Sequence, residues 1–394
     1  MKNFARVILN PKKERSLLLF HPWVFSGAVS KIEGDPEDGD IVEVFTHDGH
    51  YLATGHFHNG SIKVRIFSFV RTDAEQDFWL SKLKTAFDYR VKIGIANNPH
   101  TNIYRLVHGE GDGLPGLIID MYDTAAIIQT HTSGMQKITA FLVEALKSIY
   151  GKKLNVVFDK SAETLGKKQL PPFENKFLYG NAETIVAIEN DIRFNVNWVE
   201  GQKTGFFIDQ RENRKLLERY SADKKVLNTF SYSGGFSMYA LKGGASHVYS
   251  VDSSKKAADM AGMNAQLNGF DDRHTFIGED VFNYFKKTEE TYDIVILDPP
   301  AFAKHLSAVE NAMVGYRNLN TEGIKKVNKG GFLFTFSCSQ VIDRMLFRKL
   351  VFQAAAQTKR NVRIMHQLSQ APDHPINIYH PEGEYLKGLV LLID

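Results

Sequence analysis

A lone cysteine, Cys338, lies in Phe336-Ser337-Cys338-Ser339-Gln340, just past the apolar run Phe332-Leu333-Phe334. Upstream, another apolar run ends in Asp298-Pro299-Pro300-Ala301-Phe302. A thiol is a strong nucleophile and a carboxyl group can activate an electrophile by protonating or hydrogen-bonding it. The two prolines remove backbone donors and stiffen the loop, which holds the Asp298 carboxyl in one direction. Open α/β sheets collect ligand chemistry at the carboxyl ends of parallel strands. Cys338 and Asp298 are therefore the candidate catalytic pair, if both runs are strands of one sheet.

From about residue 197 onward, strand and helix patterns alternate. Candidate strands cover 226–230, 248–252, 275–277, 294–298, 331–336, 362–365 and 388–393. Helical segments separate the first five, which implies right-handed crossovers and a doubly wound, Rossmann-like sheet. The first strand runs into Phe230-Ser231-Tyr232-Ser233-Gly234-Gly235, whose glycines let a ligand approach the backbone ahead of a helix N-terminus. The spacing is not G-x-G-x-x-G, so a dinucleotide pyrophosphate fits poorly. The second strand ends at Asp252, where such sheets place the acid that binds ribose hydroxyls. Asp280, after the third strand, could accept from an adenine amine. Acids in this strand order favour a nucleoside cofactor without pyrophosphate, with S-adenosylmethionine leading.

That cofactor explains why a thiol would be wanted. Carbon 5 of a pyrimidine is too weak a nucleophile to take a methyl group unaided. A thiolate adding to carbon 6 makes carbon 5 enamine-like, an instance of covalent catalysis. Asp298 would protonate or hydrogen-bond N3 and so stabilise the adduct. An exocyclic amine needs no thiol. The loop has Ala301 between the prolines and Phe302, whereas amino-methyltransferases carry the aromatic directly after them. Phe302 is a candidate for stacking on an extruded base, and Pro299 for lining the same pocket.

The rest of the chain reads as two smaller units. Residues 1–72 show short strands and turns, among them 40–45, the turn His47-Asp48-Gly49-His50, and 61–67. In the last, Ile62, Val64 and Ile66 alternate with Lys63 and Arg65, so a basic outer face is expected and the two cations become candidate phosphate contacts. A small β-barrel is the expected outcome. Residues 73–196 read as an α+β unit. It has an apolar helical stripe of Phe78, Leu80, Leu83, Phe87 and Val91, a hairpin turning at 121–124, a second stripe from Ile138 to Leu146, and a hairpin around 189–191. The methyl-transfer domain would be 197–394.

Composition permits all this. The chain has 394 residues, 43% hydrophobic and 24% charged, and a net charge of +3, as in an ordinary globular protein whose nucleic-acid affinity must come from local patches. One cysteine excludes internal disulfides and multi-thiolate zinc sites. The start lacks a signal-peptide core, and no apolar stretch reaches the ~18 residues of a membrane span. A cytoplasmic protein without membrane or metal partners is expected, with a homodimer left open.

Several strings resemble one family, the bacterial 23S ribosomal RNA cytosine-C5 methyltransferase I group. They are His21-Pro22-Trp23-Val24-Phe25-Ser26-Gly27-Ala28, Arg105 to Gly116 (RLVHGEGDGLPG), and Gly201 to Arg211 (GQKTGFFIDQR), together with Ser337-Cys338-Ser339. The resemblance spans essentially the whole chain. It implies an N-terminal PUA-like RNA-binding domain, a central domain and a class I methyltransferase domain, with ribosomal RNA as partner. It implies cofactor contacts at Phe230, Ser231, Ser233, Gly235 and Asp252. Lys203, Phe206, Asp209 and Arg211 would lie over the cofactor and substrate cleft, and Cys338 would be the nucleophile. Some relatives carry a second cysteine where this chain has Thr229. Tyr316 and Arg317 are further candidates for handling the base, and His374 for proton removal. Two alternatives remain: a base N-methyltransferase, such as a guanine-N7 enzyme, or a non-catalytic RNA-binding assembly factor; uridine in place of cytosine is a subsidiary alternative, because the same thiol chemistry serves it.

Overall fold

The computed structural model describes residues 3–165, 173–303 and 305–394. By contact the chain forms two compact units: one of Met1–Ala187, Val196–Phe206 and Pro372–Gly383, the other of Ile188–Asn195, Phe207–Ala371 and Glu384–Asp394.

The first unit holds two sheets with separate cores. Its N-terminal sheet has six strands in the order 23–25, 62–68, 51–57, 41–45, 5–9, 29–33. Val7, Val42, Val44 and Val64 are fully buried in it. The expected turn after Ile41–Phe45 forms with Gly49 at φ 83°, a left-handed position that suits glycine. One expectation is corrected here. The face of Ile62–Ser68 that carries Arg65 is not an open basic surface. The Arg65 side chain is only 19% exposed, bonded to Glu110 at 3.2 Å and stacked over Trp23 at 5.1 Å. Lys63 on the same face lies 5.0 Å over the Phe57 ring and is partly exposed.

The second sheet runs 176–179, 156–159, 125–130, 117–122, 103–108, with helices Gln76–Lys92 and Thr139–Tyr150 contributing to its core. The first helix buries Trp79, Leu83, Ala86 and Arg90, and Val91 is 40% exposed. Of the expected stripe, Leu83 is fully buried, Phe78, Leu80 and Phe87 are partly buried against the same core, and Val91 falls outside it. Arg90 joins this buried face because it pairs with Asp112 and donates to the Arg105 and Asp373 carbonyls. Met121 and Tyr122 belong to a strand, not to the turn, which is Asp123-Thr124 with Asp123 at φ 52°. The later hairpin pairs Thr184–Glu189 with Ile192–Asn197. Asn190 and Asp191 both sit at positive φ, the two-residue turn whose twist matches that of the strands.

The second unit is built on seven strands: β1 (Lys225–Thr229), β2 (His247–Asp252), β3 (His274–Gly278), β4 (Tyr292–Leu297), β5 (Val327–Ser337), β6 (Val362–Ser369) and β7 (Lys387–Ile393). Their order is β3-β2-β1-β4-β5-β7-β6, with β1 to β5 parallel. Helices Gly235–Lys242, Lys255–Leu267, Val281–Lys287 and Val309–Lys325 make the crossovers. Strand β7 inserts antiparallel between β5 and β6, a reversal the apolar pattern did not reveal. The doubly wound reading holds. Because β1 lies beside both β2 and β4, the strand order reverses there, and this opens a crevice at the carboxyl ends. Leu297 pairs with Thr335, so Asp298 and Cys338 leave neighbouring strands on the same edge.

Candidate active site

Past the end of β1 the chain folds back through left-handed residues, with Phe230 at φ 53°, Tyr232 at φ 46° and Gly234 at φ 77°. Backbone strain of this kind persists only where neighbours hold it. Here Ser231 N–H donates to the Val251 carbonyl at 3.2 Å, and Tyr232 N–H donates to Asp252 Oδ2 at 3.0 Å. Asn264 donates to the Ser233 carbonyl at 2.9 Å. Gly234 then opens helix Gly235–Lys242, and a Cβ there would stand 3.3 Å from Ala261 Cβ. Asp252 Oδ1 accepts from Ser254 N–H at 2.9 Å. Each carboxylate oxygen has a second lone pair, so Asp252 keeps capacity for a ribose hydroxyl. Among the described residues the buried Ser231 hydroxyl has no hydrogen-bond partner. A buried polar group left open at a strand exit fits a polar ligand. Asp280 caps Val281–Lys287 by accepting from Asn283 N–H at 3.0 Å and is otherwise exposed.

The chemical pair lies across β4 and β5. Cys338 and Asp298 are both half-buried, and the Cys338 thiol points at the Pro299 carbonyl, 4.0 Å away. Ser339 donates to the Ala303 carbonyl at 2.6 Å, which ties the cysteine loop to the Asp-Pro-Pro loop. Gln210 donates to Asp298 Oδ1 at 3.0 Å. Asp209, next to it, accepts from the Tyr385 hydroxyl at 2.7 Å, and its other oxygen is buried without a partner among the described residues. Helix Arg211–Glu218 anchors this turn, because Arg214 pairs with buried Glu189 at 2.7 Å and donates to the Phe207 carbonyl at 2.8 Å.

Electrostatics separate the two reactive groups from their ordinary states. Burial, and then the neighbouring Asp209 charge, pushes the Asp298 carboxyl up to about 7, against a pull down from Gln210. Burial, followed by the Asp298 and Asp209 charges, pushes the Cys338 thiol up to about 12. The Lys387 charge pulls the thiol the other way. This lysine is buried, donates to the Ser339 and Ile342 carbonyls at 2.6 Å each, and is itself lowered to about 8 by burial. Protonation of Asp298 therefore removes a charge that opposes the thiolate.

Phe302 is half-buried, with its ring 4.6 Å from that of fully buried Tyr316. Pro299 is buried and Arg317 partly exposed. Arg211, expected as a substrate contact, is 2% exposed and donates through Nε to Glu212 at 3.3 Å. Lys203 and Phe206 belong to the first unit, where Lys203 is exposed and Phe206 buried. His374 also lies in that unit, buried, 3.0 Å from Asp373 and against the His108 ring, which is a structural setting. The sequence reading missed Gln210, Asn213, Tyr385 and Lys387. Only Gln210 carried a signal, its place between Asp209 and Arg211. Among the described residues no group of three or more His, Cys, Asp or Glu could hold a metal ion, and no helix is long and apolar enough to cross a membrane.

Residues 164–380 match the family described as S-adenosylmethionine-dependent methyltransferase, and residues 7–69 match the PUA-like domain. The fold and the β1–β2 cradle thus define a methyltransferase domain whose cofactor is S-adenosylmethionine, preceded by a PUA-like domain. Ribosomal RNA large subunit methyltransferase I of Aeromonas salmonicida is 40% identical over 387 residues, covering 96% of this chain and 97% of its own. The protein of that name from Alteromonas mediterranea is 40% identical over 394 residues, covering 98% of each chain. The chain belongs to the ribosomal RNA large subunit methyltransferase I family. The crystal structure of SMU.776 complexed with SAH superposes with a TM-score of 0.84 at 24% identity, covering 98% of this chain and 99% of that one, a likeness of fold.

Proposed function

We propose that this protein methylates carbon 5 of a cytosine in large-subunit ribosomal RNA through a covalent bond between Cys338 and carbon 6. The observation that carries this reading is a half-buried thiol sharing one sheet edge with a carboxyl group that holds its proton to about pH 7. The PUA-like domain would position the RNA, with Lys63 as a phosphate contact. The target base would leave its stack, at a cost of a few kcal/mol, and Phe302 and Pro299 would receive it. Ser231, Ser233, Gly235 and Asp252 would hold the cofactor, with Phe230 and Asp280 flanking it. Bound S-adenosylmethionine supplies an electrophilic sulfonium methyl group.

As the Cys338 thiolate bonds to carbon 6, the carbon 5–carbon 6 electron pair shifts toward carbon 4. Asp298 delivers its proton to N3, which leaves carbon 5 nucleophilic. After methylation, solvent water takes the carbon 5 proton, the freed electron pair becomes carbon 5=carbon 6 as the thiolate leaves, and the N3 proton returns to the Asp298 carboxylate, which restores the ring. Asp298 keeps N3 protonated until the Cys338–carbon 6 bond breaks.

RNA containing 5-fluorocytosine tests this, because fluorine blocks the elimination. Wild type is expected to form an adduct stable to denaturing electrophoresis, and Cys338→Ala to form none. Equal trapping by both rejects the nucleophile. Methylation retained in Cys338→Ala would point instead to transfer onto nitrogen.

A further inference from the structure

Gln210 closes the turn Ile208–Gln210 and is 3% exposed. Its amide faces Asp298 Oδ1 at 3.0 Å, and its Oε1 accepts from Asn213 Nδ2 at 2.6 Å. The same Asn213 nitrogen donates to the Ser369 carbonyl at 3.1 Å. A backbone carbonyl has no proton to give, so Asn213 must present its NH2 group to Ser369. That NH2 group in turn requires the oxygen of Gln210, which leaves the Gln210 N–H aimed at Asp298. A fixed acceptor on β6 thus settles two amide orientations in series. Oδ1 of Asp298 always meets a donor. A carbonyl oxygen accepts better than a hydroxyl oxygen, so an N–H held on Oδ1 favours Oδ1 as the carbonyl and Oδ2 as the protonated oxygen.

Cytosine and uracil differ at the atom this proton meets. Cytosine N3 accepts a hydrogen bond and uracil N3–H donates one. We propose that Gln210, oriented by Asn213, is a specificity-determining positioning residue: it biases the acid proton of Asp298 toward Oδ2, where it matches cytosine N3 and opposes the N3–H of uracil. The inference rests on the cytosine-C5 reading above. In the step concerned, the thiol proton has already left to solvent. The Sγ–C6 bond then forms, the C5=C6 pair becomes C4=C5, and the C4=N3 pair takes the Oδ2 proton. Asp298 is left as a carboxylate. An ionised Asp298 reverses the match, because Oδ2 then accepts and suits uracil. Preference for cytosine should therefore fall as pH rises through the carboxyl's titration near 7.

The test compares trapping rates on one ribosomal RNA fragment carrying 5-fluorocytosine or 5-fluorouracil at the same position, between about pH 6 and about pH 7.5. Wild type is expected to favour 5-fluorocytosine, less so toward the upper end. Gln210→Met removes the donor and keeps the bulk. Its preference is expected to drop about tenfold, the scale of one hydrogen bond. The pH at which preference declines should move upward, while calorimetric S-adenosylmethionine affinity stays as in wild type. A preference and pH profile within about twofold of wild type would overturn the inference alone. Should wild type trap neither pyrimidine, the cytosine-C5 reading beneath it fails as well. If Gln210→Met no longer binds cofactor, Gln210→Glu carries the test: its carboxylate draws the proton to Oδ1 and must lose the preference too, and retention there is equally fatal.

Discussion

Replacing Asp298 by asparagine should make the protein more stable and chemically inert at once. The new amide keeps the shape of the carboxyl, and its oxygen can still accept from Gln210. What it loses is a group that burial and the Asp209 charge hold at about 7 instead of 3.8. The unfolded carboxyl ionises near 3.8, whereas the folded one keeps its proton to about 7. Folded-state stability is thus full below the lower value and declines as pH rises through that window. Three pH units at ~1.4 kcal/mol each amount to ~4 kcal/mol. Asparagine does not titrate, so its advantage should grow from ~2 kcal/mol at pH 5 to ~4 kcal/mol at pH 8. Urea unfolding at the two pH values measures this. Trp23, Trp79 and Trp198 all lie in the first unit, so circular dichroism, not fluorescence, must follow the second. An Asp298→Asn protein less stable than wild type at pH 8, or a gain independent of pH, would refute the reasoning. The same variant should form no 5-fluorocytosine adduct, since an amide can meet N3 but cannot protonate it.

Asp252→Ala removes both the acceptor offered to the cofactor and the anchor of Tyr232 N–H. Calorimetry should show S-adenosylmethionine binding weakened about tenfold to a hundredfold, and an affinity within about twofold of wild type would contradict the cradle. Lys387→Met strands the Ser339 and Ile342 carbonyls. It should cost ~2–4 kcal/mol of stability. It should also slow iodoacetamide alkylation of Cys338 at fixed pH, because Lys387 pulls the thiol's ionisation downward. Unchanged stability and alkylation would remove Lys387 from the account.

The parts of this site that sequence revealed are those fixed by strand exits. Apolar runs marked where β4 and β5 end, and residues just past a parallel strand must surface at one edge, so Asp298 and Cys338 could be paired before their register was known. Asp252 followed from the same rule at β2. What stayed hidden depends on partners distant in the chain. Arg65 alternates like an exposed residue, yet Glu110 and Trp23 cover it. Arg90 sits inside its helix face because its cation is paired, which no hydrophobic count can register. Lys387 precedes an apolar strand and looks like a solvated flank, but the insertion of β7 between β5 and β6 carries it under the cysteine loop. Gln210 was visible only as a letter in a string. Its role needs the chain Ser369–Asn213–Gln210–Asp298, assembled from three separated segments.

The central claim is carbon methylation through sulfur, and the product reports on it directly. Ribosomal RNA from a strain lacking this protein, incubated with the purified protein and S-adenosylmethionine, should gain 5-methylcytidine when its nucleosides are resolved by mass spectrometry. The Cys338→Ala protein should add none. A nitrogen-methylated base in its place, or 5-methylcytidine made equally well without the thiol, would contradict the account.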